Sequence, residues 1–249
     1  MQRFSRVAGL SRLANLCLES ACPLCQRSTA QALCLDCQRQ LQHLRLSPSQ
    51  QTWRSPLPIF AWGSYSGSLK RALTTLKYEN QPQLARPLGD WLAQSWLQFA
   101  QTSEKMPEKS LLEKSLIVVP IPMHLAKQQQ RGFNQAELLA EAFCQRTRLP
   151  LNPHVLMRNR STEAQFGLSI AAREQNLADA FTLNETVVHS LKRSPHAVLL
   201  LDDIYTSGAT ARSAAQTLRQ QNIAVYGIVT VAKTTIAKTT IAKTTAAKT

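Results

Sequence analysis

Short apolar runs alternate with amphipathic stretches along the second half of the chain. Residues 116–121 (LIVVPI) and 197–201 (AVLLL) are continuously apolar, as suits strands buried on both faces. A third run, 223–231 (IAVYGIVTV), predicts another strand. Between them, 134–147 sets Leu138, Leu139, Ala142 and Phe143 on one side, and 210–221 does the same with Ala211, Ala214, Ala215 and Leu218. Both predict helices, the second closed by Asn222 as its C-terminal cap. Closer to the N-terminus, 59–62 (IFAW) suits a strand. Leu69, Ala72, Leu73 and Leu76 then recur at i, i+3, i+4 and i+7, so a helix is expected from about Ser68, which could cap it. The stretch 83–100 is helical by the same criterion, through Leu84, Leu88, Trp91, Leu92, Trp96 and Phe99. Strands alternating with helices predict an α/β fold with a parallel sheet covered on both faces.

The flanks read differently. Residues 1–20 intersperse Arg3, Arg6 and Arg12 with Phe4, Val7, Leu10, Leu13 and Leu16. This suits a helix packed on the body, or an arm for nucleic acid or a membrane surface. Residues 47–58 hold three prolines with several Ser and Gln and read as a linker. The polar stretch 101–114 reads as an exposed connector. The tail repeats a five-residue unit that fits neither a helical nor a strand period, so a disordered cationic tail is expected, with an electrostatic tether as the alternative. The chain therefore divides into a small module (1–46), a linker (47–58), a main domain (59–234) and the tail (235–249).

Lys and Arg number 29 against 15 Asp and Glu, a formal charge of +14. Lys233, Lys238, Lys243 and Lys248 account for four of these charges, leaving a strongly basic body that implies an anionic partner. No apolar run is long enough for a membrane span. Arg12 interrupts any signal-peptide core, so a cytoplasmic protein is expected.

Two clusters carry chemistry. Cys22 and Cys25 form one Cys-x2-Cys knuckle, and Cys34 and Cys37 form a second, eight residues further on. Four thiolates so spaced can close a tetrahedral shell around Zn²⁺, and the metal would supply the folding energy that so short a segment lacks. The rival reading is redox chemistry at the Cys22-Pro23-Leu24-Cys25 turn, which leaves the second pair without a purpose. Cys17 and Cys144 read as buried thiols.

The other cluster follows the run 197–201. Asp202 and Asp203 lead into Thr206, Ser207, Gly208, Ala209 and Thr210 at the carboxyl end of a buried strand, where open α/β sheets bind ligands. The hydroxyls of Thr206, Ser207 and Thr210, the permissive Gly208 and the helix that follows make a phosphate cradle. The acid pair suits ribose hydroxyls, directly or through Mg²⁺.

This segment resembles the phosphoribosyl pyrophosphate (PRPP) loop of type I phosphoribosyltransferases. Other blocks resemble the ComF family of competence-associated proteins: Tyr65-x-Gly67 with Leu76-Lys77-Tyr78, Val119-Pro120-Ile121-Pro122 leading to Arg131-Gly132-Phe133-Asn134-Gln135, and Gln165-x-Gly167-Leu168 with Arg173, Asn176, Ala180 and Phe181. Ser207 stands where the family often has Thr, and Lys127 where many members have Arg. The resemblance implies a parallel-sheet, type I phosphoribosyltransferase-like domain behind a four-cysteine zinc module. It places the 5-phosphate of PRPP in the loop 206–210 and the ribose hydroxyls at Asp202 and Asp203. The pyrophosphate falls near 120–123, on Lys127 and Arg131 of the polar loop behind. Displacement at the anomeric carbon would then rest on Asp202, Asp203 and Arg131, with Mg²⁺ brought by PRPP. Arg173 reads equally as a phosphate ligand or a surface charge, and Lys77-Tyr78 as core support.

Three functions remain open. One is a PRPP-dependent transferase whose acceptor no residue identifies. Another is a non-catalytic module for a phosphate ligand or single-stranded DNA in DNA uptake, with Trp53, Phe60, Trp62, Tyr65 and Tyr78 as base-stacking candidates that are more simply core. The last is an adaptor for competence or recombination proteins.

Overall fold

A computed structural model describes residues 20–54, 56–102, 116–158, 180–193 and 196–234. The lead-in helix, Cys17, most of the connector, Gln165, Gly167, Leu168, Arg173, Asn176 and the repeat tail lie outside the described residues.

The four long strands are β3 (Ile59–Ser64), β4 (Leu116–Pro120), β7 (Ala197–Tyr205) and β8 (Val225–Lys233). They pair in the order β3-β8-β7-β4, every pair parallel, so the expected parallel sheet is present. The N-terminal module contributes the short strands β1 (Ser20–Ala21) and β2 (Ser28–Thr29) and helix α1 (Leu35–Gln42). Against one face of the sheet pack α2 (Gly67–Tyr78), α3 (Ala85–Thr102) and α5 (Gln135–Thr147), burying Leu73, Leu88, Trp96 and Phe143 with Phe60, Trp62, Val118, Leu199 and Val229. The other face is covered by α7 (Ala209–Gln220), α6 (Glu185–Lys192) and the hairpin of β5 (Leu156–Arg158) with β6 (Phe181–Leu183). There Ala211, Ala214, Ala215 and Leu218 lie against Val198, Leu200 and Ile228. Residues 199 and 201 thus face one layer and 198 and 200 the other, which is why the run is apolar throughout.

Several boundaries differ from the expected ones. The strand expected at 197–201 continues to Tyr205, because β8 extends to Lys233 and keeps pairing it: Asp202 opposite Thr230, Ile204 opposite Ala232. The acid pair therefore sits on a strand rather than in the loop. The strand expected at 223–231 begins at Val225. Asn222 takes a left-handed cap conformation (φ 60°) and the Ile223 N–H bonds back to the Leu218 carbonyl, so the chain is still turning there. Ser68 does not cap α2; Ser66 precedes the helix, and the Ser68 hydroxyl donates instead to the Gln40 carbonyl of α1. The polar loop after β4 contains a helix, α4 (Leu125–Arg131), capped by His124 and ended by Gly132 at φ 83°.

Residues 47–58 run along the edge of β3. The Gln51 side chain bonds both the N–H and the carbonyl of Ala61, and Thr52 bridges Ile59. Trp53 is buried, 5.2 Å from Trp96 and 5.3 Å from Tyr226 between ring centres. Of the proposed base-stacking aromatics, Trp53, Phe60 and Trp62 are core; only Tyr78 is broadly exposed, at 75%.

Candidate functional site

The C-terminal ends of β4 and β7 open a two-lobed cleft. Along β7, Asp203 follows Leu199 and Leu201 onto the α2 side and is buried, 4% exposed. Lys77, in the last turn of α2, meets it there, with Nζ 2.5 Å from Oδ2. Asp202 follows Val198 and Leu200 toward the other face, and its Oδ1 accepts the Asp203 N–H at 2.8 Å. Arg158, at the end of β5, reaches the cleft from that side, its guanidinium 5.5 Å from the Phe181 ring centre.

Burial, and after it the Asp203 charge, holds the Asp202 carboxyl well above the usual carboxylate range, against the downward pull of the Asp203 N–H and Lys77. Burial disfavours the Lys77 ammonium, yet the charge and hydrogen bond of Asp203 outweigh it and keep the lysine above its ordinary value. Burial lowers Arg158, with the Asp202 charge opposing.

The first lobe, about 270 Å³, is lined by Asp202, Asp203, Thr206, Thr210, Lys77 and Arg158 among others. Thr206 and Ser207 are exposed at the loop, while Gly208 is buried at φ 76° and starts α7. A Cβ there would collide with the Tyr205 ring, so glycine alone fits both the backbone and the space. The loop is held by Arg212, whose guanidinium donates to the Ser207 carbonyl at 2.9 Å. Ser207, Gly208 and Ala209 do not line the lobe; they shape the turn that presents Thr206 and Thr210.

A second lobe, about 140 Å³, adjoins the first through Lys77, Met123, Gln135 and Arg158, and holds Lys127 and Arg131 of α4. The Arg131 guanidinium lies 5.3 Å from the Tyr78 ring centre and donates to Gln135 Oε1. Asn134 caps α5 through the Ala136 N–H and donates to the Ile121 carbonyl, fixing the block 131–135 against the end of β4. Among the described residues, Lys127, Arg131, Asp202, Asp203 and the loop 206–210 all lie at this one end of the sheet. Members not assigned to it from the sequence include Arg158, which stands in no recognisable pattern, Gln135, which closes the block 131–135 but had no role of its own, and Lys77, whose block was read as core support.

The four cysteines form a separate centre. Their sulfurs all lie within 4.8 Å of one another, with Cys25 and Cys34 at 3.4 Å. A tetrahedral Zn–thiolate shell has sulfurs about 3.7 Å apart, so the set could hold a metal such as zinc. The Cys34 N–H points at the Cys22 sulfur at 3.5 Å. Burial pushes the Cys22 thiol up, but the N–H groups of Cys34, Leu24 and Cys25 outweigh it and bring it to about 6. Burial and the neighbouring thiols drive Cys37 upward. All four thiols meet at one point, which disfavours the redox reading of Cys22 and Cys25 as an isolated pair.

The structure defines an α/β protein with a parallel four-stranded sheet, a cleft at the carboxyl end of its strands and a four-cysteine centre in front of it. The chain is 29% identical to competence protein F of Haemophilus influenzae over 67% of its own length and 69% of that protein's. It is 26% identical to the DNA utilization protein YhgH of Escherichia coli, over 86% of this chain and 90% of that one. To competence protein ComFC of Bacillus subtilis it is 27% identical, over 82% and 73%. The resemblance to ComF proteins read from the sequence is borne out by these homologues. No family model matches the chain. Solved structures with some likeness include adenine phosphoribosyltransferase of Leishmania tarentolae (TM-score 0.36, 16% identity, 79% of this chain and 73% of that one). Another is the glutamine PRPP amidotransferase of B. subtilis (0.33, 20%, 59% of this chain), of whose length this chain spans a quarter. Such scores place no residue of the site. Among the described residues, no helix is long and apolar enough to cross a membrane.

Proposed function

We propose that the cleft binds PRPP or a related phosphate ligand, with Mg²⁺, in a cytoplasmic protein serving DNA uptake or natural transformation. One observation carries this reading: an acid pair, two loop hydroxyls and the cations Lys127 and Arg131 converge on adjoining lobes at the carboxyl end of a parallel sheet. The 5-phosphate would sit on the loop 206–210, with Thr206 and Thr210 toward it. Asp202 and Asp203 would face the ribose hydroxyls, and the diphosphate would lie toward Lys127 and Arg131. In that pose Arg131, stacked on Tyr78 and bonded to Gln135, is pre-oriented toward charge developing on a departing pyrophosphate, as transfer to an acceptor would require. The Cys22, Cys25, Cys34 and Cys37 centre would hold one structural Zn²⁺, closed to substrate by its four thiolates. The DNA-uptake role follows the names of the relatives, with competence or recombination proteins as partners.

The test is calorimetric titration of zinc-loaded protein with PRPP and Mg²⁺, beside Asp202→Asn/Asp203→Asn. Binding by the wild type and its loss in the variant is the expected result. A wild type that takes up no PRPP sinks the reading.

A second reading, single-stranded DNA binding, has its own observation. An open groove of about 720 Å³ between the cysteine module and α3 and α5 is lined by Arg86, Arg146, Arg148 and the half-buried Trp91. Among the described residues it shares none of its lining with the cleft.

A further inference from the structure

The acid pair of the cleft is met by cations of the protein itself. Lys77 reaches Asp203 from α2, and Arg158 approaches from the opposite layer, near enough to feel the Asp202 charge. Both cations line both lobes. A divalent ion held by the protein needs carboxylate oxygens with charge to spare. One Asp203 oxygen is committed to an ammonium, one Asp202 oxygen accepts the Asp203 N–H, and burial disfavours the Asp202 charge. The acid pair therefore does not fit a protein-held Mg²⁺.

The second lobe has the opposite character. Lys77, Lys127, Arg131 and Arg158 line it, and among the described residues no acidic one does. Arg131 is already held by Tyr78 and Gln135, so little side-chain ordering remains to be done on binding. Four positive groups around a space of about 140 Å³ match the charge of two linked phosphates better than that of one.

We propose that this lobe takes a diphosphate group as the bare anion, with Lys77 standing between the acid pair and the diphosphate where a divalent cation would otherwise bridge them. Mg²⁺ then travels on the ligand, coordinated by ligand oxygens and water, and the protein neither holds nor requires it. The inference rests on the phosphate-ligand reading of the cleft and goes beyond it in naming the residue that takes the metal's place.

Inorganic pyrophosphate is the probe, titrated into zinc-loaded protein in buffer stripped of free divalent ions by a chelating resin, with and without added Mg²⁺. Wild-type affinity should differ less than about threefold between the two. Lys77→Met should weaken binding about tenfold or more without Mg²⁺, the scale of a lost charged hydrogen bond, and regain it when Mg²⁺ is added, because Asp203 is then free to hold the ion. A structural role for Lys77 would give no such rescue. Lys77→Met leaves Asp203 buried without its partner and risks misfolding, so Asp203→Asn is the second variant. It should bind pyrophosphate without Mg²⁺ at least as tightly as the wild type, since Lys77 is released toward the ligand. Wild-type binding that needs Mg²⁺, Lys77→Met weakened equally with and without it, or metal-free binding lost in Asp203→Asn each overturns the proposal. Failure of pyrophosphate to bind in either buffer, together with failure of PRPP, overturns the underlying phosphate-site reading as well.

Discussion

Asp202 and Asp203 are neighbours in sequence, yet strand alternation gives them different partners. Asp203 has its lysine at 2.5 Å, whereas Asp202 keeps a raised pKa through burial and the adjacent charge. An acid raised in the folded state holds a proton there that the unfolded chain has already lost. Stability from this group is therefore greatest below the ordinary aspartate pKa and falls as pH rises toward the folded value. Asp202→Asn keeps the oxygen that accepts the Asp203 N–H and removes the ionisation. It should stabilise the protein by about 1–2 kcal/mol at pH 8 and by nothing at pH 4, read as thermal midpoints, while PRPP binding is lost. A variant both more stable and unable to bind is the signature of a site whose charge is kept for function at a cost in stability. Gly208→Ala should lower stability by about 1–3 kcal/mol, through its positive φ and the clash with Tyr205. At this scale the sequence revealed the acids and the loop hydroxyls, because strand, acids and cradle are contiguous. It did not reveal Arg158 or Gln135 as cleft residues, since Arg158 ends a three-residue strand with no period and enters the cleft only when the β5–β6 hairpin packs against the sheet.

Among elements, the cysteine module is joined to the sheet rather than appended to it. The Leu46 N–H bonds to the Trp62 carbonyl, the Ser64 N–H bonds to the Leu44 carbonyl, and Arg45 bridges Gly63, so the module's C-terminal segment pairs with β3 at its free edge. Leu24, Leu33 and Leu41 share one buried cluster with Trp62 and Leu69. Because these contacts tie the cysteine centre to the sheet, metal removal should act on the body too. Cys37→Ser should abolish zinc retention measured by atomic absorption. It should also lower the thermal midpoint by several degrees and open residues 20–46 to limited proteolysis ahead of the rest. Zinc loss that leaves the midpoint unchanged would mean the module folds without its metal. The knuckles were legible from spacing alone, whereas their docking was not, because residues 44–46 bond through backbone groups that any sequence supplies and Ser68 donates its hydroxyl to a backbone carbonyl. The strands at 116–121 and 197–201 were equally legible from apolar runs. Helix α4 was missed because its seven residues, LAKQQQR, present no buried face.

For the whole molecule, the formal charge of +14 is the feature that motif reading leaves least explained. The cleft absorbs part of it, at Lys77, Lys127, Arg131 and Arg158, against two carboxyls. Another part borders the separate groove: Arg146 is paired there with Asp90 at 3.2 Å, and Arg86 and Arg148 line the same wall. Trp91 lies beside them, stacked on Trp62 with its ring 19° from parallel. If the groove carries single-stranded DNA, binding should weaken steeply with salt, by a slope of about −0.7 in log K against log salt for each phosphate contact. Arg86→Ala/Arg148→Ala should then weaken binding of an oligothymidylate and reduce the slope by about 1.4, while PRPP titration stays as in the wild type. Trp91→Ala should weaken the DNA complex without altering the slope, since stacking releases no counterions. Fluorescence anisotropy at several salt concentrations reads all three. An unchanged slope in the double arginine variant would move the DNA surface away from this groove, and a simultaneous loss of PRPP binding would show that groove and cleft are one site rather than two.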